Sequence, residues 1–583
     1  MHCLNTGREE EARKMLAAHL KKHPMDVGAN KLMAMICGAH DDFEQALTYL
    51  RRAEAAEPKN AEIKFMLGNT LLAIKRYAEA VKPLEACWGL SYHDPQVALG
   101  LSQALISSGR LDDAMRALNR SIEATPDDAN TYGNASSVMI AIGNVGEAME
   151  VVRRGYARLP NATGLLESLV QNTNFIDNVD PVEHRKLHEK LAATWLGYIT
   201  RAERVLGNTN ERDRVLRVGF LSADYGYHAC AMFMRAALTN FDHGRIVPYA
   251  YSCRQWNDGY AEVFKQTCVW RDVSGLDHDQ TAAAIIADGI DILVDCSGHF
   301  SGNRLPALMP RVAPIQCTWL GYPNTTGLPT MDYRIVDRVT DPPAMAGHTT
   351  EQLARLPDCF LCFSPNPNAP AVGQTGAGRD DRATHITFGS FNRLDKATPS
   401  TLDAWCRVLR AVPDSRMMLK SRMMTEELQR MAIGRFSSRG IEPHRIVPSD
   451  YVSSAEEHLG MYNKVDIALD TFPYNGTTTT CEATWMGVPV VTLAGEMHRA
   501  RVGASLNTVV GLPQLIGRDV DQYVNIAVGL AADWRDLAAL KGSLRGKMAA
   551  SALCDAPAYA RKFEVLLRTM WIRWCKGEPP API

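Results

Sequence analysis

Ala12, Ala46, Ala80, Ala114 and Ala148 follow one another at a constant step of 34 residues. Ala34, Gly68, Ser102 and Ser136 keep the same step with small side chains, and Pro24, Pro58, Pro126 and Pro160 mark the same register. The third unit carries the displaced pair Asp94-Pro95 instead. This is the period of the tetratricopeptide repeat, in which each unit is a pair of antiparallel helices that must stack on its neighbours to bury its apolar face. Small residues stand where two helices cross closely. Proline stands at the turn into the next unit, where it interrupts no helix. The spacing predicts a helical solenoid over residues 1–165, whose first residues fall close to a turn, so that the array is expected to open in mid-register. Such a solenoid offers a concave surface to extended peptide or to a partner protein, and a scaffold or dimerisation surface fits the same pattern.

Residues 166–212 read as a helical connector, led by Pro181-Val182-Glu183-His184 and broken at Asn208-Thr209-Asn210. Beyond it short apolar runs alternate with helical patterns. Strands are expected over 216–222, 247–252, 291–295 and 315–320, with a helix such as 280–286 between them. Residues 366–384, rich in Pro, Gly and Asp, read as a linker, and Gly376-Ala377-Gly378 inside it follows no strand and so has no dinucleotide role. The alternation restarts with strands over 386–391, 416–420, 445–448, 465–469 and 488–493. Two α/β halves in tandem, 213–365 and 385–520, imply parallel sheets facing a cleft, with ligands at the carboxyl ends of the strands. Residues 521–583 read as helices that pack back on these halves.

At 583 residues, with 46% hydrophobic and 22% charged residues and a formal net charge of −2, the chain has ample core. It has no electrostatic case for nucleic acid or for an anionic membrane. No apolar run approaches the 20 or so residues of a membrane span, and Met1-His2-Cys3-Leu4 does not open a signal peptide. The 14 cysteines form no framework, so a cytoplasmic setting is expected. Cys359 and Cys362 form a lone CxxC around Phe360 and Leu361, better read as a half-buried strand than as a zinc or redox site.

The strongest chemical signal is Asp470-Thr471-Phe472-Pro473-Tyr474-Asn475-Gly476-Thr477-Thr478-Thr479-Thr480-Cys481-Glu482. An apolar strand precedes it, and Ala483-Thr484-Trp485-Met486 reads as a short helix closed by Gly487. The threonine run thus stands where a strand end turns into a helix N-terminus, which supplies unpaired N–H groups and a positive dipole end suited to a diphosphate. Ordinary capping by Thr and Gly is the alternative. His228 follows the first strand of the first half, where it can orient or deprotonate an acceptor hydroxyl or merely cap a helix. Lys396 follows the first strand of the second half, where it can neutralise a diphosphate or pair with Asp395. Ser297-Gly298-His299 and the loop 321–327 also point toward the cleft. No HExxH, carboxylate-rich Mg²⁺ site or Walker loop is present, and no metal is expected.

The whole chain resembles the protein O-glycosyltransferases of glycosyltransferase family 41, which join tetratricopeptide repeats to a GT-B fold of two Rossmann-like domains. The strings that carry this are Gly321-Tyr322-Pro323-Asn324-Thr325-Thr326-Gly327, Arg355-Leu356-Pro357-Asp358-Cys359-Phe360, Thr387-Phe388-Gly389-Ser390-Phe391-Asn392 and the threonine-run segment. Within the family they are most similar to the SPINDLY-type O-fucosyltransferase branch.

The resemblance implies transfer of a sugar from a nucleotide-sugar donor to Ser/Thr hydroxyls of proteins, with inversion and without metal or any other cofactor. It implies that His228 acts near the acceptor hydroxyl and Lys396 on the donor diphosphate. Thr477, Thr478 and Thr479 form the phosphate turn, with Asn392, Arg393, Gly476 and Thr480 beside it. Glu482 stands at the nucleotide ribose and His458 at the base. His299, Gly321, Tyr322 and Pro323 are assigned to the acceptor or sugar pocket. The O-GlcNAc transferase branch has histidine at Thr477, glutamine at Arg393 and lysine at Ala455. These departures favour GDP-fucose as donor over the alternative, UDP-GlcNAc. For the general base, His228, Asp288, Asp291 and a donor phosphate oxygen stand open. Protein acceptors are expected on the repeats, a homo-oligomer is compatible with them, and a catalytically silent scaffold is the remaining alternative.

Overall fold

A computed structural model describes residues 9–583 apart from 91–93, 197–205, 374–384, 422–423, 425, 450–451 and 453. The chain divides into a repeat unit, built on residues up to Ser168, and an α/β unit from Leu169 onward. The Gly376-Ala377-Gly378 stretch and the first eight residues lie outside the described residues.

The repeat unit is a run of paired helices: Val27–Ala39 with Phe43–Ala56, Ala61–Ala73 with Tyr77–Gly89, Pro95–Ser107 with Leu111–Ala124, and Ala129–Ala141 with Val145–Arg158, preceded by Glu9–Lys22. Ala46, Ala80, Ala114 and Ala148 occupy the same place in each second helix and are fully buried, at 1% exposure or less. Gly68 shows why small residues recur: a methyl group there would sit 2.4 Å from Leu84 Cγ. A further 34-residue series emerges at Asp26, Asn60, Asp94 and Asp128. Each is the N-cap of a first helix, and each side chain accepts a backbone N–H of that helix's first turn. Such a cap contributes about 1 kcal/mol, so the series fixes where every repeat begins.

The α/β unit holds two parallel sheets. The first contains β1 Leu216–Ser222, β2 Ile246–Ser252, β3 Val269–Asp272, β4 Ile292–Asp295, β5 Ile315–Trp319, β6 Tyr333–Asp337 and β7 Gln352–Leu356, in the order β3-β2-β1-β4-β5-β6-β7. The second contains β8 Thr387–Ser390, β9 Arg416–Lys420, β10 Ile446–Ser449, β11 Ile467–Leu469, β12 Val490–Leu493 and β13 Ile516–Gly517, in the order β10-β9-β8-β11-β12-β13. In both, the winding reverses beside the first strand, which opens a crevice at the carboxyl ends. This is a GT-B fold. β3, β6, β7 and β13 go beyond the strands expected from sequence.

The Cys359–Cys362 segment is not a strand. Both thiols are buried, and the backbone finds its partners elsewhere. Phe360 N–H donates to Asp337 Oδ2 (3.0 Å), Phe360 C=O accepts from Trp319 Nε1 (2.9 Å), and Phe363 N–H donates to Leu553 C=O (2.7 Å). Burial also holds the Cys359 thiol well above its ordinary range. Residues 370–373 lie on the second half, where Gly373 N–H donates to Asn463 Oδ1 (2.8 Å) and Arg545 donates to Pro370 C=O (2.7 Å). The helix Val520–Ala532 packs in the second half through Trp405 Nε1 donating to Tyr523 OH (3.0 Å). The last helix, Ala556–Cys575, returns to the first, where Tyr559 OH donates to Phe360 C=O (2.7 Å) and Glu564 accepts from Asp242 N–H (2.7 Å).

Candidate active site

The site is built on the end of β11. Asp470 is buried, and one of its oxygens accepts from the N–H groups of Gly476 (2.7 Å) and Thr471 (2.9 Å) and from Asn392 Nδ2 (3.3 Å). The other accepts from Thr492 Oγ1 (2.8 Å). This latch draws 470–476 into a closed loop. Burial pushes the carboxyl up to about 6, against the pull of those donors. Asn475 is held in turn by its N–H on Arg499 C=O (2.9 Å). At Gly476 a methyl would meet Thr479 Oγ1 at 2.4 Å and Asn392 Oδ1 at 2.8 Å, so any side chain there displaces the Thr479–Asn392 pair.

The helix that follows is Thr478–Trp485, so most of the threonine run lies within it and the helix starts five residues before the 483–486 expected from sequence. Its N-cap, Thr477, makes no side-chain cap bond, and the first-turn N–H groups have no acceptor within the helix. The four threonines divide by task. Thr480 Oγ1 donates back to Gly476 C=O (3.1 Å) and Thr479 Oγ1 donates to Asn392 Oδ1 (2.7 Å). Thr478 lines the cleft.

Lys396 reaches this turn from the short 3₁₀ segment after β8. Its Nζ donates to Asn475 C=O (2.9 Å) and lies 3.7 Å from the centre of the Tyr474 ring. Desolvation lowers its pKa to about 8, partly offset by Asp395. Asp395, itself buried, hydrogen-bonds Arg393, so the surface pair between Lys396 and Asp395 does not form.

A cleft of about 260 Å³, open to solvent, runs between the halves. Tyr227, His228, Ala229 and Met232 line it from the first half, and Arg393, Lys420, His458, Thr478 and Glu482 line it from the second. His228 is the N-cap of the helix Ala229–Leu238 and also faces this space. Its Nδ1 accepts from Cys230 N–H (3.3 Å) and stands 3.5 Å from Asp224 Oδ2. Capping and cleft-facing roles therefore coincide. Across the cleft, Lys420 Nζ donates to His458 Nδ1 (2.5 Å), which places the ring proton on Nε2 for donation to Glu482 Oε2 (2.9 Å). Tyr462 OH donates to the same carboxylate oxygen (3.3 Å). Lys420, depressed by burial, was missed in the sequence; its signal was a lysine closing an otherwise apolar strand, Met417-Met418-Leu419, at a carboxyl end.

Four residues assigned to the acceptor or sugar pocket sit elsewhere. His299 and Tyr322 are buried among His184, His188 and Trp195 of the connector helix Pro181–Leu196. His299 Nε2 donates to Thr326 C=O (2.8 Å), while Tyr322 OH bridges Asn174 Nδ2 (2.7 Å) and His188 Nε2 (2.9 Å). Gly321 packs on backbone, since a methyl would lie 2.0 Å from Cys296 C=O, and Pro323 is buried beside it. These partners satisfy the polar atoms and cover the rings, so none of the four lines the described cleft. Two base candidates also fall away. Asp291 precedes β4, at the end of the sheet opposite the cleft, and is held by Arg214 and by Arg217 N–H. Asp288 is bound by Arg271 and Tyr251.

The glycosyl transferase family 41 model matches residues 197–364 and 378–563, and a tetratricopeptide repeat model matches 39–86 and 75–135. The chain is 41% identical over 380 residues to the Arabidopsis thaliana protein described as a probable UDP-N-acetylglucosamine–peptide N-acetylglucosaminyltransferase, SPINDLY, covering 64% of this chain and 41% of that protein. Its Oryza sativa counterpart is 42% identical over the same shares. The UDP-N-acetylglucosamine–peptide N-acetylglucosaminyltransferase of Caenorhabditis elegans is 28% identical, over 62% of this chain and 41% of that one. The chain thus spans about two fifths of the length of these relatives, 41% in each case. Among solved structures, a Thermobaculum terrenum O-GlcNAc transferase mutant superposes with a TM-score of 0.77 at 27% identity, covering 98% of this chain and 99% of that one. Sheet order, strand-end turns and family model agree, and the chain belongs to glycosyl transferase family 41.

Proposed function

We propose that the protein is an inverting, metal-independent protein O-glycosyltransferase with a nucleotide-sugar donor, most consistent with GDP-fucose. The observation that carries this is the meeting of Lys396 with the Asn475 carbonyl, beside the open N-terminus of the Thr478–Trp485 helix, on the margin of a cleft whose other wall holds His228. A Ser or Thr hydroxyl of the acceptor attacks the anomeric carbon as the bond to the diphosphate breaks. Negative charge grows on the diphosphate oxygen, where Lys396, the first-turn N–H groups and the Thr478 hydroxyl receive it. Groups aimed where charge develops lower the barrier because they need no reorganisation in the transition state. The hydroxyl proton goes to His228 or to a donor phosphate oxygen. The ribose and base lie along His458 and Glu482, and the repeats present the acceptor protein. The described cysteines are all free, in keeping with a reducing, cytoplasmic setting.

Thr477 and Ala455, at positions where the O-GlcNAc branch carries histidine and lysine, support GDP-fucose. The plant relatives, described as probable UDP-N-acetylglucosamine–peptide transferases, favour a second reading, UDP-GlcNAc. Purified protein and a peptide library, mixed in parallel with labelled GDP-fucose and labelled UDP-GlcNAc, decide between them. Transfer from GDP-fucose is expected. Transfer from UDP-GlcNAc alone overturns the donor, and transfer from neither overturns the enzyme and leaves the scaffold reading.

A further inference from the structure

Asp224, His228 and Cys230 bring an oxygen, a nitrogen and a sulfur together behind the cleft-lining His228 ring, with the three donor atoms all within 4.8 Å of one another. Nδ1 of His228 and Oδ2 of Asp224 are 3.5 Å apart. Zinc bound tetrahedrally at about 2.0–2.3 Å from such atoms places them roughly 3.3–3.7 Å from each other. The N–O pair therefore stands at ligand spacing already, and the sulfur, within 4.8 Å of both, closes on them by side-chain rotation. A mixed N, O and S set selects borderline cations such as Zn²⁺ over Mg²⁺ or Ca²⁺, which take oxygen alone.

The framework suits a site. Asp224 is 9% exposed behind the ring, whereas the His228 side chain is 45% exposed, so a fourth coordination position opens on the cleft. The long bond from Cys230 N–H to Nδ1, 3.3 Å, breaks when a metal enters. Arg254, 3.9 Å from the other Asp224 oxygen, opposes a cation. Burial and the Asp224 carboxylate hold the Cys230 thiol above its ordinary range, so a cation must displace the thiol proton to bind.

We propose that Asp224, His228 and Cys230 form an inhibitory site for a thiophilic divalent cation of the zinc class, which withholds His228 from the acceptor hydroxyl. The inhibition rests on the role given to His228 under Proposed function; the binding does not.

Titration of the full chain with Co²⁺, followed by the thiolate-to-cobalt absorption in the near ultraviolet, tests the binding without any substrate. One equivalent is expected, with the band lost in Cys230→Ser and affinity at least tenfold weaker in His228→Ala and Asp224→Asn. His228→Ala removes an exposed ring and guards against misfolding as the explanation. Arg254→Ala should tighten binding severalfold. Zn²⁺ should displace Co²⁺ and inhibit transfer with the same midpoint, a chelator should restore it, and Cys230→Ser should transfer normally with at least tenfold resistance to zinc. Absence of the band, or its survival in Cys230→Ser, overturns the site. A band without zinc inhibition overturns the inhibitory role alone, and faults the placing of His228 at the acceptor.

Discussion

β4 and β11 occupy matching places, each beside the first strand of its own sheet, and each ends in a buried aspartate that ties down the turn after it. Asp295 accepts from the N–H groups of Ser297 (3.2 Å) and Gly298 (3.0 Å) and from Thr318 Oγ1 (3.0 Å). Asp470 does the same with Thr471, Gly476 and Thr492. Burial raises both carboxyls to about 6. Past the latch the two turns part. The first is roofed by the connector, with His299 and Tyr322 spent on structure. The second leads into a helix whose first turn reaches the cleft. One local device thus serves stability in one half and ligand binding in the other, and the covering segment decides which.

Lys396 belongs only to the second turn, since the stretch after β1 carries His228 and no lysine, so its loss should separate the two most sharply. Lys396→Ala is expected to lower kcat by roughly a thousandfold, the scale for losing one strong donor to developing charge. The melting temperature should barely change, and steady-state transfer kinetics beside a thermal melt check both. Next comes the matched pair Asp470→Asn and Asp295→Asn. The first should cost roughly a hundredfold in kcat/KM, because the amide nitrogen cannot accept from Thr492 Oγ1 and the uncharged oxygen left behind holds the Gly476 and Thr471 N–H groups more weakly. The second should lower the melting temperature with transfer nearly intact. Equal losses of activity in the pair would abolish the distinction.

The glycines sharpen it further. At Gly298 φ is +53° and a methyl would stand 2.1 Å from Tyr322 Cβ, so Gly298→Ala should destabilise by about 2–3 kcal/mol in a denaturant titration. Gly476→Ala meets only side-chain ends and should chiefly raise the KM for the donor. The roofed turn should also sense acid. Desolvation, with nearby cations, lowers His184 to about 3, and it lowers His299 to about 4 and His188 well below the ordinary 6.5. From 6.5 downward the unfolded chain takes up protons that the folded one refuses, so this stability is complete above that pH and falls as pH drops. The slope is about 1.4 kcal/mol per pH unit for each histidine, read as a falling melting temperature between pH 6.5 and 4. The open turn should respond at the alkaline side. Lys396, lowered to about 8 by burial, loses its charge as pH rises through that value, so kcat/KM should decline there and Lys396→Arg should carry the decline out of range. The smallest effects come from the threonines. Thr478→Val should raise the donor KM severalfold without a stability change, while Thr480→Val should cost about 1 kcal/mol of stability, since its hydroxyl serves Gly476.

The repeat was legible because its signal is periodic and local: a small residue every 34 positions has one structural meaning. The threonine turn was legible for a similar reason, with strand, glycine and cap residues contiguous. Ser297-Gly298-His299 looks the same in one dimension, and its fate is decided by Gln171, His188 and Trp195, more than 100 residues away in sequence. That information is tertiary. Lys420 escaped for the converse reason: nothing near it hints at His458, 38 residues on, which it meets at the cleft. β6 was missed where polar loop residues lead into Tyr333-Arg334-Ile335-Val336-Asp337, a strand buried along its whole length.

The bond from Asp242 to Glu564 spans 322 residues of chain, and Trp571 reaches back in the same way to Glu211 C=O (3.0 Å). The first α/β half therefore finishes its core with a helix translated after the whole of the second. On the ribosome it waits, with apolar surface uncovered, until Ala556–Cys575 has emerged. Order of synthesis and order of folding are thereby uncoupled: the two halves mature together, and a nonsense codon late in the message disarms the half that was made first.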